Sequence, residues 1–308
     1  MIKKGYLQIS FAWLFAIIVG AFVLFLAIYA SGKIINQGNA ATDTMTSKEL
    51  GILLNPLETG FEIGKSNVIN IKSETRIYNR CDSTGIFGKQ LIRTSKKSFG
   101  KWTNTNFEVS FENKYIFSKK TVEGKKFYLF SKPFKFPFKV ADLIYLTSAD
   151  DYYCFINAPE NIKNELKYLN QENILINNCS QFSINICFGS AGVSQSCNIS
   201  VDYNLKTVRK NGKVLYFYSD ALMYGAIFSD SDIYECQLKR LMKRTGQLAL
   251  LYNDKSKVIS SAGCSSNLNL LGLNNAAKNL DSSADLSSIG IIAEDIKEKN
   301  EIAKCKLW

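Results

Sequence analysis

The side chains that could do chemistry in this chain belong to few types, because its 308 residues include 38 Lys and Arg, 27 Asp and Glu and eight Cys but no His. Without an imidazole, Ser-His-Asp and Cys-His catalysis, HExxH zinc sites and histidine-ligated haem are excluded. What remains is chemistry based on carboxylates, on a Ser/Lys pair or on cysteine.

Two short motifs have spacings that occur in catalysis. Ser98 and Lys101 stand three residues apart, and on one helical turn a desolvated lysine can deprotonate such a serine. The neighbouring glycine and lysines predict a turn and a strand instead, so we do not expect that geometry. Asp150 and Asp151 are adjacent, face opposite ways in a strand, and are expected to form the turn before Tyr152. We therefore predict no enzyme activity, no cofactor, no metal and no small-molecule substrate.

Positive charge is concentrated in residues 89–139, which hold thirteen Lys and Arg against three Glu, a local net charge of +10, and twelve aromatic residues. In an extended strand, Phe134, Phe136 and Phe138 would share one face while Lys135 and Lys139 took the other. The lysines of this basic stretch that are candidates for binding are Lys119, Lys120, Lys125, Lys126, Lys132, Lys135 and Lys139.

Two interpretations of the basic stretch remain open. It is either a sheet with an aromatic inner face and solvated lysines outside, or a surface that neutralises an anionic polymer while its rings stack on sugars or bases. The anionic partners considered are acidic glycan, lipid headgroups and DNA.

The cysteines favour an extracellular disulfide framework. They are even in number, all follow residue 30, and include no C-x-x-C pair, so zinc ligation and thioredoxin-like chemistry are poorly supported. The pairing stays open among 105 arrangements. Asn198 begins an Asn-Ile-Ser glycosylation triplet, which is consistent with that location. The predicted disulfide cysteines are Cys81, Cys154, Cys179, Cys187, Cys197, Cys236, Cys264 and Cys305.

Residues 11–30 carry no charge and are numerous enough to span a bilayer as a helix. Trp13 and Tyr29 stand near the two ends, where aromatic rings prefer the membrane interface. The apolar run is longer than that of a typical cleaved secretory signal. Lys3 and Lys4 favour a cytoplasmic amino terminus, so we predict a single-pass cell-membrane protein with its C-terminal domain outside the cell.

Residues 3–10, KKGYLQIS, followed by the apolar run, resemble the class III signal of archaeal type IV pilin-like proteins. The resemblance implies a cut between Gly5 and Tyr6 and a helix that packs with other subunits in a filament core. That family usually has Glu at the fifth position of the mature chain, where this sequence has Ser10; the alternative is an uncleaved anchor. The remainder, including SFAWLFAIIVGAF and the final CKLW, resembles uncharacterised single-pass membrane proteins of small-genome archaea, which implies a lineage and no activity.

Periodicity predicts an α+β fold, with an N-terminal transmembrane helix, a mainly antiparallel β ectodomain and a helical C-terminal region, tied together by disulfides. Asn211-Gly212 predicts a hairpin turn, and Pro159 begins a helix that interrupts the strands. The expected divisions are a cytoplasmic N-terminus or signal at 1–10, the transmembrane helix at 11–30, a linker at 31–46, the β-rich ectodomain at 47–218 and a helical cap region at 219–308.

These features together predict a membrane-anchored extracellular protein of the cell envelope that serves structure, assembly or adhesion. Its expected partners are the lipid bilayer and other envelope or filament subunits. The alternative is an extracellular binding module for an anionic polymer, which would act through the basic stretch.

Overall fold

Helix α1, Phe11–Leu53, is the first element of the computed structural model. Within it, Phe11–Ser31 has a mean hydropathy of 2.8 and no buried residue, so by length and composition this segment can cross a membrane. The helix continues through 31–46, the segment predicted to be a linker; no proline precedes Pro56 to stop it. The structure describes residues 11–53, 66–98, 100–103, 108–189, 197–261, 263 and 267–308.

The first sheet has seven strands in the order β3-β2-β1-β6-β7-β5, with β4 paired to β2. Only the β5–β7 pairing is parallel among its described pairings. Its strands are β1 (Ser66–Asp82), β2 (Lys89–Ser98), β3 (Lys101–Trp102), β4 (Val109–Phe111), β5 (Tyr115–Phe117), β6 (Thr121–Lys135) and β7 (Lys139–Ser148).

This sheet curls around its own apolar side chains. Ile77 of β1, Ile92 of β2, Ile116 of β5 and Phe127 of β6 meet in one buried cluster. The backbone N–H of Ile116, at one end of the strand order, donates to Gln90 on β2, near the other end. The opposite face of β5, β6 and β7 packs on helices, and α1 contacts β2 and β4.

The second sheet has the order β13-β12-β11-β10-β8-β9. Strands β8 to β11 pair in parallel, whereas β12 and β13 are antiparallel, so the sheet is mixed. Helix α2, Glu160–Leu169, supplies the crossover that the parallel neighbours β8 and β9 require. The strands are β8 (Tyr153–Ile156), β9 (Ile174–Ile176), β10 (Ile184–Phe188), β11 (Ile199–Asp202), β12 (Thr207–Lys210) and β13 (Lys213–Tyr216).

Four helices follow the sheets, which confirms the α+β class. Helix α3, Asp220–Phe228, contacts β6 and β7 of the first sheet and β12 and β13 of the second, so the helical region fills the space between the sheets rather than capping them. Helix α4, Ser231–Ser261, packs on β1, β5 and β7. Helices α5, Leu270–Lys278, and α6, Leu286–Ile302, lie within the region predicted to be helical.

Three disulfides close between described cysteines, and Cys305 is also disulfide-bonded, whereas Cys264 lies outside the described residues. The Cys81–Cys236 bond joins β1 to α4 across 155 residues of sequence and ties the helical region to the first sheet, as expected. The other two bonds, Cys154–Cys179 and Cys187–Cys197, lie within the second sheet and its loops.

Candidate functional site

Three aromatic rings of the basic stretch, those of Phe134, Phe136 and Phe138, lie in the core. Phe134 and Phe136 are completely buried and Phe138 is 1% exposed. Phe138 packs against Tyr252 and Trp308, with ring centroids 4.7 and 5.3 Å away. These rings therefore stabilise the fold and are not available to stack on a ligand.

Five of the seven candidate lysines are neutralised by carboxylates of the same chain. Only Lys125 and Lys135 are exposed without an ion pair to a described residue. They stand ten residues apart on β6, about 33 Å along an extended strand, so they do not form one patch. The ion pairs are Lys119–Asp151 (2.8 Å), Lys120–Asp232 (2.7 Å), Lys126–Glu172 (2.6 Å), Lys132–Glu165 (2.6 Å) and Lys139–Asp142 (3.0 Å).

The most enclosed of these pairs is the one between Lys132 and Glu165. Lys132 Nζ donates to both Glu165 oxygens at 2.6 Å, and the Tyr224 hydroxyl donates to the same carboxylate at 3.1 Å. Burial, and secondarily the Glu165 charge, raises the pKa of Tyr224. The cluster connects β6, α2 and α3, so it joins three parts of the core.

We expect Lys132→Glu to lower the free energy of unfolding by about 2–4 kcal/mol, because it places a carboxylate against Glu165 where both side chains are about three-quarters buried. Lys135→Glu makes the same charge change on an exposed side chain and should stay within about 0.5 kcal/mol of the parent. Urea denaturation of the two variants measures the difference. Equal losses in both would mean that the Lys132–Glu165 contact does not support the fold.

Alternation of bases and rings does occur on the outer face of β1 to β3, where sequence reasoning did not place it. The Arg76 guanidinium lies 4.1 Å from the Trp102 ring, and Arg93 lies 4.3 Å from the Tyr78 ring. The alternation of Arg76 and Tyr78 along β1 was the available signal. Arg76 also pairs with Glu123 at 2.7 Å, so this face too is largely charge-balanced.

A groove of about 780 Å³ lies between the β11–β12 turn, the end of β13 and α6. Leu205, Tyr216 and Ile291 line it and are 64%, 36% and 72% exposed, so they form an apolar surface open to solvent. The carboxylates that line the groove all come from α6: Glu294, Asp295 and Glu298. Lys297 and Lys299 pair with Glu294 and Asp295, and Lys206 also lines the groove, so its charge is largely balanced. The arrangement suits contact with a partner that brings apolar side chains.

Lys210 is the buried lysine whose chemistry needs the closest examination. Its Nζ donates to the backbone carbonyls of Ala226, Ile227 and Ser229, where α3 ends. Burial lowers the pKa of Lys210 to about 8. An ammonium that donates all three hydrogens has no lone pair for attack on a carbonyl, so Lys210 caps α3 and is not placed as a nucleophile.

The other catalytic spacings do not assemble a site. Ser98 and Lys101 face each other across the β2–β3 pairing rather than on one helical turn. Asp150 and Asp151 lie in the turn after β7, as expected. Among the described residues, no three His, Cys, Asp or Glu side chains are grouped so that they could hold a metal ion.

Comparison of the chain with protein-family models, with curated proteins and with solved structures finds no match. The features that bear on function are therefore the apolar helix, the disulfides and the surfaces described above.

Proposed function

We propose that this protein is a membrane-anchored component of the cell envelope whose folded domain lies outside the cell and serves structure, assembly or adhesion. The observation that carries the proposal is the joining of an unburied apolar helix, Phe11–Ser31, to a domain that contains disulfides. Disulfides persist in oxidising compartments, and the apolar helix needs a bilayer to cover it.

The packing of the domain supports a structural role over a polyanion-binding role. Binding a polyanion through the basic stretch would require ion pairs such as Lys126–Glu172 and Lys132–Glu165 to open first. The rings of Phe134, Phe136 and Phe138, which would have stacked on a ligand, are core side chains. A partner in assembly or adhesion can bind the groove beside α6 without disturbing the core, because the apolar side chains of the groove are already exposed.

Assembly through a pilin-like amino terminus is the finer form of the proposal. Residues 1–10, which include Gly5 and Tyr6, lie outside the described residues. The segment Phe11–Ser31 of α1 is unburied, which leaves its apolar surface free to pack against the same helix of other subunits. The amino-terminal residue of the purified protein distinguishes the two forms: Tyr6 for pilin-like processing, and Met1 or Ile2 for a plain anchor.

Placement outside the cell predicts a specific pattern of thiol labelling. A membrane-impermeant maleimide added to intact cells should label Lys125→Cys, because that side chain is exposed and has no ion pair to a described residue. Gln8→Cys, on the other side of the predicted span, should react only after the cells are permeabilised. The parent protein, with its disulfides intact, is the background control. The reverse pattern would contradict the proposal.

A further inference from the structure

The end of the second sheet where β10 and β11 begin presents an asparagine side chain to solvent. Asn198, just before β11, is exposed, and its Oδ1 accepts a hydrogen bond from the backbone N–H of Asn185 at 2.8 Å. Because the oxygen is held by β10, the amide nitrogen Nδ2 is turned toward solvent, and it makes no hydrogen bond to a described residue.

The neighbourhood of Asn198 completes an acceptor triplet on a rigid support. Ser200 follows two residues later on β11, is half-buried, and its hydroxyl makes no hydrogen bond to a described residue. The Cys187–Cys197 disulfide, with a Cα–Cα distance of 5.9 Å, clamps the chain just before Asn198 to β10. The amide is therefore presented in one orientation.

An exposed aromatic ring lies at the same end of the sheet. Phe182 is 88% exposed, more than any other large apolar side chain that the structure describes. It comes two residues before β10, and the next residue, Ser183, hydrogen-bonds to the Asn185 side chain at 2.9 Å. Phe182 therefore stands three residues before Asn185, the residue whose backbone N–H holds the Asn198 amide.

We propose that Asn198 carries an N-linked glycan whose first sugars cover the ring of Phe182. The inference rests on the proposed placement outside the cell. A lipid-linked oligosaccharide is the donor. Asn198 Nδ2 forms a bond to C1 of the first sugar, the bond from C1 to the carrier's phosphate oxygen breaks, and the phosphate leaves with that electron pair. One amide proton passes to a base of the transferase. The C–H face of a sugar then packs on the ring and removes apolar surface from water.

The test is mass analysis of peptides from the full chain, purified from the cells that make it. The Asn198 peptide should carry a glycan in the parent and none in Ser200→Ala, which keeps Asn198 but removes the hydroxyl of the triplet. Asn178-Cys179-Ser180 is a second triplet, with its central residue in a disulfide to Cys154. Ser180→Ala is the matched control and should leave the Asn198 glycan in place.

Two results would overturn the inference while leaving the outside placement intact. One is an unmodified Asn198 peptide in a protein whose Lys125→Cys thiol is labelled from outside. The other is a glycan on Asn178 alone. If Lys125→Cys is not labelled from outside the cell, the proposed location of the domain outside the cell is wrong. The glycan inference, which rests on that location, then fails as well.

Binding of a hydrophobic dye measures whether the glycan covers the Phe182 ring. Ser200→Ala, which lacks the glycan, should bind about twofold more of a hydrophobic fluorescent dye than the parent does, and adding Phe182→Ser should return the signal to the parent level. Equal dye binding by glycosylated parent and unglycosylated variant would show that the glycan does not cover Phe182.

Discussion

Replacement of Arg240 by alanine is expected to lower the free energy of unfolding by about 4–6 kcal/mol, since an unsatisfied buried acceptor costs about 1–3 kcal/mol. Arg240, on α4, is completely buried and also lies 4.7 Å from the Tyr115 ring. Burial lowers the pKa of Arg240 to about 10, so the guanidinium remains charged at neutral pH. It donates to the backbone carbonyls of Phe87 (3.2 Å), Phe111 (3.3 Å), Glu112 (2.9 Å) and Lys114 (2.8 Å) and to the side chain of Gln237 (2.8 Å).

Such a loss is a large part of the stability of an ordinary domain. Arg240→Met should lose most of the same free energy, because it keeps an apolar stem of similar length but supplies no donor. Arg209→Ala is the matched control: this arginine is exposed on β12, and its removal should change stability by less than about 0.5 kcal/mol. Urea denaturation with the disulfides intact gives all three values. A change below about 1 kcal/mol in Arg240→Ala would mean that water replaces the guanidinium at no cost.

The second large effect is an expected loss of stability at alkaline pH. Burial raises the pKa of Tyr145, Tyr153, Tyr224 and Tyr234 above the usual value of 10.0. The folded protein therefore keeps these protons while the unfolded chain loses them. The stability that the neutral phenols contribute is complete below pH 10 and is lost as the pH rises above it. Four such groups predict a fall of about 5–6 kcal/mol per pH unit, at about 1.4 kcal/mol for each.

Lys210 changes the free energy of unfolding in the opposite direction, and at lower pH. Its folded pKa of about 8 lies below the usual 10.5, so between these values the folded protein binds fewer protons than the unfolded chain. Stability should therefore rise with pH in that window, by at most about 1.4 kcal/mol per unit, before the tyrosines reverse the trend near pH 10. Denaturation curves from pH 7 to pH 11.5 record the profile. Lys210→Met should remove the rising part and keep the fall; a flat profile through pH 11 would contradict the burial of the tyrosines.

Sequence periodicity located most elements and failed where both sides of an element are buried. Strand β7 was not predicted, because Leu143 and Tyr145 enter one core cluster while Ile144 and Leu146 enter the other, and no polar residue alternates with them. Helix α3 was not resolved as a separate element for the same reason, since every residue after Asp220 is buried. The Asn211-Gly212 turn was predictable because positive φ, here 48° and 72°, is a local requirement of the hairpin.

The charge of the candidate binding site likewise depends on residues that are far apart in the sequence. Counting charges within residues 89–139 gave a net of +10, but many of the carboxylates that neutralise the lysines lie later in the chain. Glu165 and Glu172 belong to α2 and the segment that follows it, and Asp232 lies on α4. Charge in a sequence window therefore overstated the charge of the surface that the window forms.

The sequence by itself determined a segment long and apolar enough to span a membrane, the presence of a disulfide framework, the hairpin turn and the α+β class, because each depends on residue type and short-range spacing. Only the tertiary structure decided which cysteines pair, that Phe134, Phe136 and Phe138 are core side chains, and that Arg240 is enclosed by carbonyls from distant segments. These contacts join residues that are often more than a hundred positions apart. Which residues meet depends on how the two sheets and α4 pack. That packing cannot be predicted from a pattern of neighbouring residues.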